Sequence, residues 1–217
     1  MPLKSELWTF VLKILLGALL AASAVDLACS AVYMTDLDLF SQHFYYIYGF
    51  VDIVTVVLYY IIVVVYLIWI FRVHKDLNRL FLQYPRTPGG ALACMIIPFY
   101  SLYGLPSTYQ FIGSYYQRTP ALRKDGQWIQ GLSVPLVIFV FASNIVNRFV
   151  GKADEVSGSL LFASSLVSFV AYVIFLTLCI LVSRGLYAIQ VRADDTQLEP
   201  LTEQIIVNPE PPISLKS

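Results

Sequence analysis

Four long apolar runs alternate with short polar links along the chain, and their lengths set the expected architecture. The first, from Leu7 to Met34, carries charge only at Lys13 and Asp26 and exceeds the roughly 20 residues that a spanning helix needs. The second, from Phe44 to Phe71, contains VVLYYIIVVVYLIWIF, too long and continuous for a buried helix of a soluble protein. Tyr45, Tyr46 and Tyr48 at one end and Trp69 at the other match the aromatic belts of two membrane interfaces. A third run extends from about Ile129 to Val150, with Pro135 near its start, and a fourth from Ser159 to Val182. Proline is tolerated in a first helical turn, where it breaks no hydrogen bond. The expected fold is an all-α integral membrane protein with four transmembrane helices at approximately 9–33, 44–71, 129–150 and 159–182.

Between the second and third runs the pattern changes. No Gly or Pro occurs between Phe50 and Tyr84, so the second helix is expected to continue beyond the bilayer. There Val73, Leu77, Leu80, Phe81 and Tyr84 recur at helical spacing, with Arg72, Lys75, Asp76, Arg79 and Gln83 on the other face. That is the pattern of an amphipathic helix lying at the headgroups. Its Arg72 and Asp76 form an i,i+4 pair worth at most about 0.5 kcal/mol if exposed. Pro85, Pro88, Gly89 and Gly90 then end the helix. The next apolar piece, ALACMIIPFYSLYGLP, is short and broken by Pro98, Gly104 and Pro106, so it is expected to enter and return or to lie in the interface, followed by a second interfacial candidate, STYQFIGSYYQ.

The loop charges support this. With four spans, every Lys and Arg except Arg148 and Lys152 falls on one side, which the positive-inside rule identifies as the cytoplasm, with both termini there. A fifth span at 91–106 would instead move Arg118, Arg123, Lys124 and the basic residues of the tail outside. The first run also has the outline of a signal peptide, with Lys4, ILLGALLA and Ala22-Ser23-Ala24 as its parts. Its apolar character continues to Tyr33 and Glu6 sits in the would-be basic region, so an uncleaved helix is expected. Asp26-Leu27-Ala28-Cys29 is a poor lipoprotein site. Residues 1–186 form the expected membrane domain, with 72–128 as its cytoplasmic interfacial segment. The acidic, proline-bearing stretch 187–217 is expected to be a disordered cytoplasmic tail.

Trp69-x-x-Arg72-x-x-x-Asp76-Leu77, then Pro88-x-x-Ala91, then Ile97-Pro98-Phe99-x-x-Leu102 with Gly104 resembles the small bacterial membrane proteins grouped as domain of unknown function 4328. The resemblance is carried by Trp69 to Gly104, with the flanking segments alike only in layout. Asp76 and Ser101 stand where that family tends to have Asn. It implies a topology and no activity.

Composition excludes more than it identifies. Of 217 residues, 58% are hydrophobic and 13% charged, against roughly a quarter charged in soluble domains. The formal net charge is zero, and no basic stripe points to nucleic acid. Cys29, Cys94 and Cys179 lie in three separate apolar segments at no metal or disulfide spacing, and His43 and His74 flank opposite ends of one run. Neither a metal nor a cofactor is expected, and no His or Lys lies beside a Ser in any span to activate it, so no catalytic residue is assigned.

The remaining chemistry lies inside the spans. A carboxylate near the bilayer centre costs on the order of 3 kcal/mol, so Asp26 and Asp52 should face inward. Counted from the hairpin between them, both sit about two turns deep, at matched depth. Each belongs to a polar stripe, Ser23, Asp26 and Ser30 on the first helix and Tyr48, Asp52, Thr55 and Tyr59 on the second. Asn144, Asn147 and Arg148 on the third helix and Ser164, Ser165 and Ser168 on the fourth reach the same half, with Arg148 placed to compensate one acid. The bland reading is interhelical glue in a structural or protein-interaction component of the membrane. The sharper reading is a cation, proton or small polar ligand site at Asp26, Asp52, Asn144, Arg148 and Tyr59, as in a small transporter or channel-like protein. The lipid bilayer and a homo-oligomer or membrane-protein partner are the expected partners.

The topology is testable without a structure. In a background lacking the native cysteines, a cysteine introduced near Arg123 should resist an impermeant thiol reagent added outside the cell, and strong labelling there would overturn the four-span arrangement.

Overall fold

The computed structural model describes residues 5–81, 84–152 and 157–207, the side chains of 98–101 and 194–207 excepted. Among the described residues every regular element is helical. Helix α1 spans Glu6–Thr35. The short α2 (Leu37–Leu39) and a π-helical turn (Phe40–Phe44) lead into α3, Tyr45–Leu80. Two shorter helices follow, α4 (Pro88–Ile96) and α5 (Pro98–Gln117). A single 3-10 turn, Pro120–Leu122, precedes α6 (Arg123–Val150), and α7 covers Gly158–Val207. Four helices are long and apolar enough to cross a membrane, and α4 and α5 are not among them.

The four long helices run up and down and form an arc in the order α3, α1, α7, α6, in which α1 packs on both α3 and α7, and α7 on both α1 and α6. The links α1–α3 and α6–α7 lie together, since a Cβ added at Gly158 would come within 2.8 Å of the Met34 backbone. This is the hairpin end. The opposite, basic end holds Ser5, Arg86, Arg123 and Arg184. There α4 packs on α3, α5 on α4, and α6 on α5, so the α4–α5 pair fills the space between α3 and α6. Towards the hairpin end α3 and α6 are not packed against one another.

The wedge is held by close backbone approach and by buried hydroxyls. A Cβ on Gly126 would lie 2.5 Å from the Gly113 carbonyl oxygen, and one on Gly113 2.6 Å from the Gly126 carbonyl oxygen. Helices α5 and α6 therefore cross at paired glycines, as small residues allow when no hydrophobic force drives helices together in lipid. Beside the crossing the Gln117 side-chain amide donates to Gln130 Oε1 at 2.7 Å, and that of Gln130 to the Gln110 carbonyl at 3.2 Å. The Tyr116 hydroxyl donates to the Val182 carbonyl of α7 at 2.7 Å. Arg184 of α7 grips Asp125 in the first turn of α6, its Nε 2.9 Å from Oδ2. An acid at that position also complements the positive end of the α6 dipole.

The segment after Arg72 differs from the expected interfacial helix. It is the unbroken end of α3, a helix of 36 residues, about 54 Å long at about 1.5 Å per residue. Lys75 and Arg79 are exposed as the spacing predicts, and Leu80 is half-buried. Asp76 is not on the solvent side: it is 1% exposed, and its Oδ2 accepts the Ser5 backbone N–H at 2.9 Å. The physical reason is the start of α1, whose unpaired N–H groups and dipole favour a carboxylate. Arg72 is half-buried beside it, and Leu77 is fully buried in the core. The helix ends at Leu80, so Tyr84 lies outside it, and Gln83 falls outside the described residues.

The two pieces expected to lie separately at the interface are joined. Helix α5 starts at Pro98 and runs through Gly104 and Pro106 into the STYQFIGSYYQ stretch. Pro106 lacks the N–H that would meet the Leu102 carbonyl, and the neighbouring Gly104 carbonyl is contacted from outside the helix. Arg86 donates to the Gly104 carbonyl at 3.3 Å and to Ser107 Oγ at 2.9 Å, it contacts Thr108, and its guanidinium covers the Phe111 ring at 5.1 Å. The last helix also departs from expectation. Its backbone continues from the expected end at Val182 to Val207, through Pro200 and other residues assigned to a disordered tail. Residues 208–217 lie outside the described residues.

The glycine crossing separates two substitutions on one helix. Gly126→Ala should lower the melting temperature of the purified protein by an overpacking cost of about 1–3 kcal/mol. Gly131→Ala, where an added Cβ meets nothing within 4 Å, should leave it unchanged or raise it, since alanine favours helix by up to about 1 kcal/mol. Equal effects in thermal unfolding would argue against a tight crossing.

Candidate functional site

Where α3 and α6 part, the bundle encloses a cavity of about 380 Å³ bordered by α1, α3, α6 and α7. On α3 its lining residues recur at helical spacing, Tyr48, Asp52, Thr55, Tyr59, Ile62 and Tyr66. Because a helix turns once in about 3.6 residues, that interval keeps a single face toward the space. Helix α1 brings Ser23 and Asp26, α6 brings Ser143, Asn144 and Asn147, and α7 brings Ser164, Ser165 and Ser168.

The two acids of the sequence analysis therefore share one cavity. Asp26 is within hydrogen-bonding reach of Ser165 and close enough to Asp52 for the carboxylates to repel. Tyr59 and Asn144 line the same space. Arg148 does not: it is exposed in the last turn of α6, and among the described residues no Lys, Arg or His lines the cavity. One residue past Asn147, it is rotated by about 100° from the lining face. At that position it complements the α6 C-terminus, not a carboxylate. Of the five residues assigned to a ligand or proton site, four come together and Arg148 stays apart.

The polar stripes divide into two kinds. Across α6 and α7 they act as interhelical glue, with the Ser143 and Ser168 hydroxyls 2.8 Å apart and Ser164 donating to Asn147 Oδ1 at 2.5 Å. On α1 the hydroxyls turn back on their own helix, Ser23 to the Leu20 carbonyl and Ser30 to the Leu27 carbonyl, each at 2.9 Å. The Thr55 hydroxyl is buried with no partner among the described residues. A buried hydroxyl without a hydrogen bond is costly, and this one borders the cavity.

The floor of the cavity was not legible as a site. The Tyr66 hydroxyl lies 2.9 Å from that of Tyr109 in α5, and its ring meets Phe175 edge-on at 5.5 Å. Immediately beneath, Trp69 is fully buried and donates from Nε1 to Thr9 Oγ1 at 2.9 Å. Leu12 and Leu178, both fully buried, complete a dry layer. The seven-residue step from Tyr59 to Tyr66 was the available signal, since it continues the stripe already visible at Tyr48, Asp52, Thr55 and Tyr59. The Tyr109 partner had none, because its segment read as interfacial.

A second polar spot lies at the basic end. His74 is fully buried, with Nδ1 2.9 Å from the Ile70 carbonyl, and its Nε2 and the nearby Tyr84 hydroxyl have no partner among the described residues. The rings meet at 5.7 Å, and burial pushes the Tyr84 phenol above its ordinary range. Of the residues assigned to an interfacial platform, Arg72, Lys75, Asp76, Arg79 and Pro98, Lys75 and Arg79 are exposed, Arg72 is half-buried, Pro98 opens α5, and Asp76 is instead buried against the start of α1. Among the described residues no three His, Cys, Asp or Glu side chains come together as a metal site. No family model, curated protein or solved structure matches this chain.

Proposed function

We propose that this chain is a multi-pass protein of the cell membrane, with both termini cytoplasmic, that holds a cation, a proton or a small polar ligand in the outer half of its bundle, as a small transporter or membrane-embedded binding component would. The observation that carries this reading is a cavity of about 380 Å³ bordered by Asp26 and Asp52 and, among the described residues, by no basic side chain. Polar residues serving only as glue would pack against one another. Here the acids and Thr55 border open space, and intramembrane ionisable groups that line a cavity commonly mark a pathway. The dry layer at Tyr66, Tyr109 and Trp69 closes the cavity toward the basic end, which corresponds to an outward-facing state. The chain's own residues supply binding and no covalent chemistry.

The structural reading, a scaffold or interaction component, is favoured by the α6–α7 hydroxyl and amide contacts. These contacts do not require the α3 side of the cavity, and the two readings separate there. The orientation rests on the loop charges, and the resemblance to domain of unknown function 4328 adds a topology only.

The test is solvent access. In a background with Cys29, Cys94 and Cys179 replaced by alanine, Thr55→Cys costs no hydrogen bond, because the native hydroxyl makes none. The introduced thiol should react with a hydrophilic methanethiosulfonate added outside intact cells. A cationic reagent should react about ten-fold faster than an anionic one, the factor that 1.4 kcal/mol of field from the acids corresponds to. A thiol that stays unreactive in the folded protein and reacts only after denaturation would mean dry packing and would sink the proposal.

A further inference from the structure

The walls of the cavity narrow the chemistry of its occupant. Two carboxylates with no basic residue in the lining among the described residues call for positive charge. A hard divalent cation takes about six or more oxygen ligands at short range, whereas no cluster of three acidic, histidine or cysteine side chains forms among the described residues. The lining instead presents tyrosines. Tyr48 and Tyr172 lie close to Asp26, Tyr59 and Tyr60 line the same cavity, and phenol rings attract organic cations through their faces. Toward the floor the wall becomes apolar, with Leu19, Ile62, Val140 and Phe175. The volume, about 380 Å³, lies in the range of pockets for small organic molecules.

The opening points the same way. Helices α3 and α6 are not packed on one another toward the hairpin end, and at the α3 lip Val56 and Tyr60 are 47% and 67% exposed. Toward the basic end the Tyr66–Tyr109 pair and Trp69 close the floor. The gap therefore faces the surroundings of the bundle sideways, and across a spanning segment those surroundings are lipid.

Resting on the binding reading above, we propose that the cavity takes a monovalent organic cation with an apolar flank, an amine or quaternary ammonium, which reaches it from the bilayer through the gap between α3 and α6. The charged group sits between Asp26 and Asp52 with its carbon substituents on the tyrosine faces, and the apolar flank lies on Leu19, Ile62 and Phe175. An inorganic ion would leave the apolar floor unused, and a neutral lipid would leave both carboxylates uncompensated.

The experiment uses the Thr55→Cys protein in membranes, with a neutral methanethiosulfonate as the reporter. Benzyltrimethylammonium should slow the reaction saturably. Neopentylbenzene, its uncharged isostere, should not. Adding Asp26→Asn or Asp52→Asn should leave the thiol reactive toward the neutral reagent, which shows an intact cavity, and should raise the concentration needed for protection by about ten-fold or more. Val56→Trp, which narrows the lip, should slow the onset of protection while its final extent is retained. Equal protection by the neutral isostere, or none by the cation, overturns the ligand class while the wet cavity stands. An unchanged onset in Val56→Trp overturns the lateral route. A thiol that never reacts removes the binding reading itself.

Discussion

Helices in lipid gain no hydrophobic free energy by meeting one another, so they associate only where backbones approach closely or polar groups find partners. On the α3–α6 side of the bundle both resources are concentrated at one end. The Gly113–Gly126 crossing, the Gln117–Gln130 amides, the Tyr116 hydroxyl on Val182 and the Arg184–Asp125 pair all lie where the α4–α5 wedge stands between α3 and α6. At the hairpin end nothing comparable joins α3 to α6, and the bundle is an open arc. The cavity is what an arc of four helices leaves when its gap is filled over only part of its height. Its position follows from the length of the wedge, and its polarity from the stripes that face it.

The wedge also explains how irregular backbone is tolerated. A proline inside a helix and a turn between two short helices expose carbonyl groups that lipid cannot satisfy. Arg86 reaches the Gly104 carbonyl and the Ser107 hydroxyl from outside α5, and the Thr108 hydroxyl accompanies it at 2.7 Å from the same carbonyl. A broken segment of this kind is stable only against protein, and Gly104, Ser107, Thr108 and Tyr109 form its buried face.

Much of this was legible, for identifiable reasons. Run length located the four long helices, because a spanning segment must remain apolar for about 20 residues. Periodicity located the cavity walls, because Asp52, Thr55 and Tyr59 share one face, and counting turns from the hairpin put Asp26 beside Asp52. Other features follow from contacts distant in sequence. Asp76 read as a solvent-facing charge because its neighbours Lys75 and Arg79 are, whereas its partner Ser5 lies 71 residues away. Arg148 read as a counter-ion from its depth, yet one residue of rotation moved it off the lining face. Pro106 read as a terminator, whereas α5 runs through it to Gln117. The step from α4 to α5 depends on the Cys94–Gly104 contact, where a Cβ on Gly104 would lie 2.4 Å from the Cys94 carbonyl oxygen.

The order of helices in the arc bears on how the protein is made. The first spanning helix packs mainly on the last, α1 on α7, and only its other side is covered by α3. During synthesis α1 and α3 enter the membrane as a hairpin long before α7 exists, so Ser165 is not yet there to meet Asp26. Over that interval the carboxylates of Asp26 and Asp52 lack the hydroxyl and amide side chains that α6 and α7 later bring to the cavity. Closure of the bundle is thus a late, long-range event of the kind that raises contact order and slows folding. The acids that later border the cavity are, during biogenesis, the least comfortable part of the nascent hairpin, and the arrival of α7 is the step that shelters them.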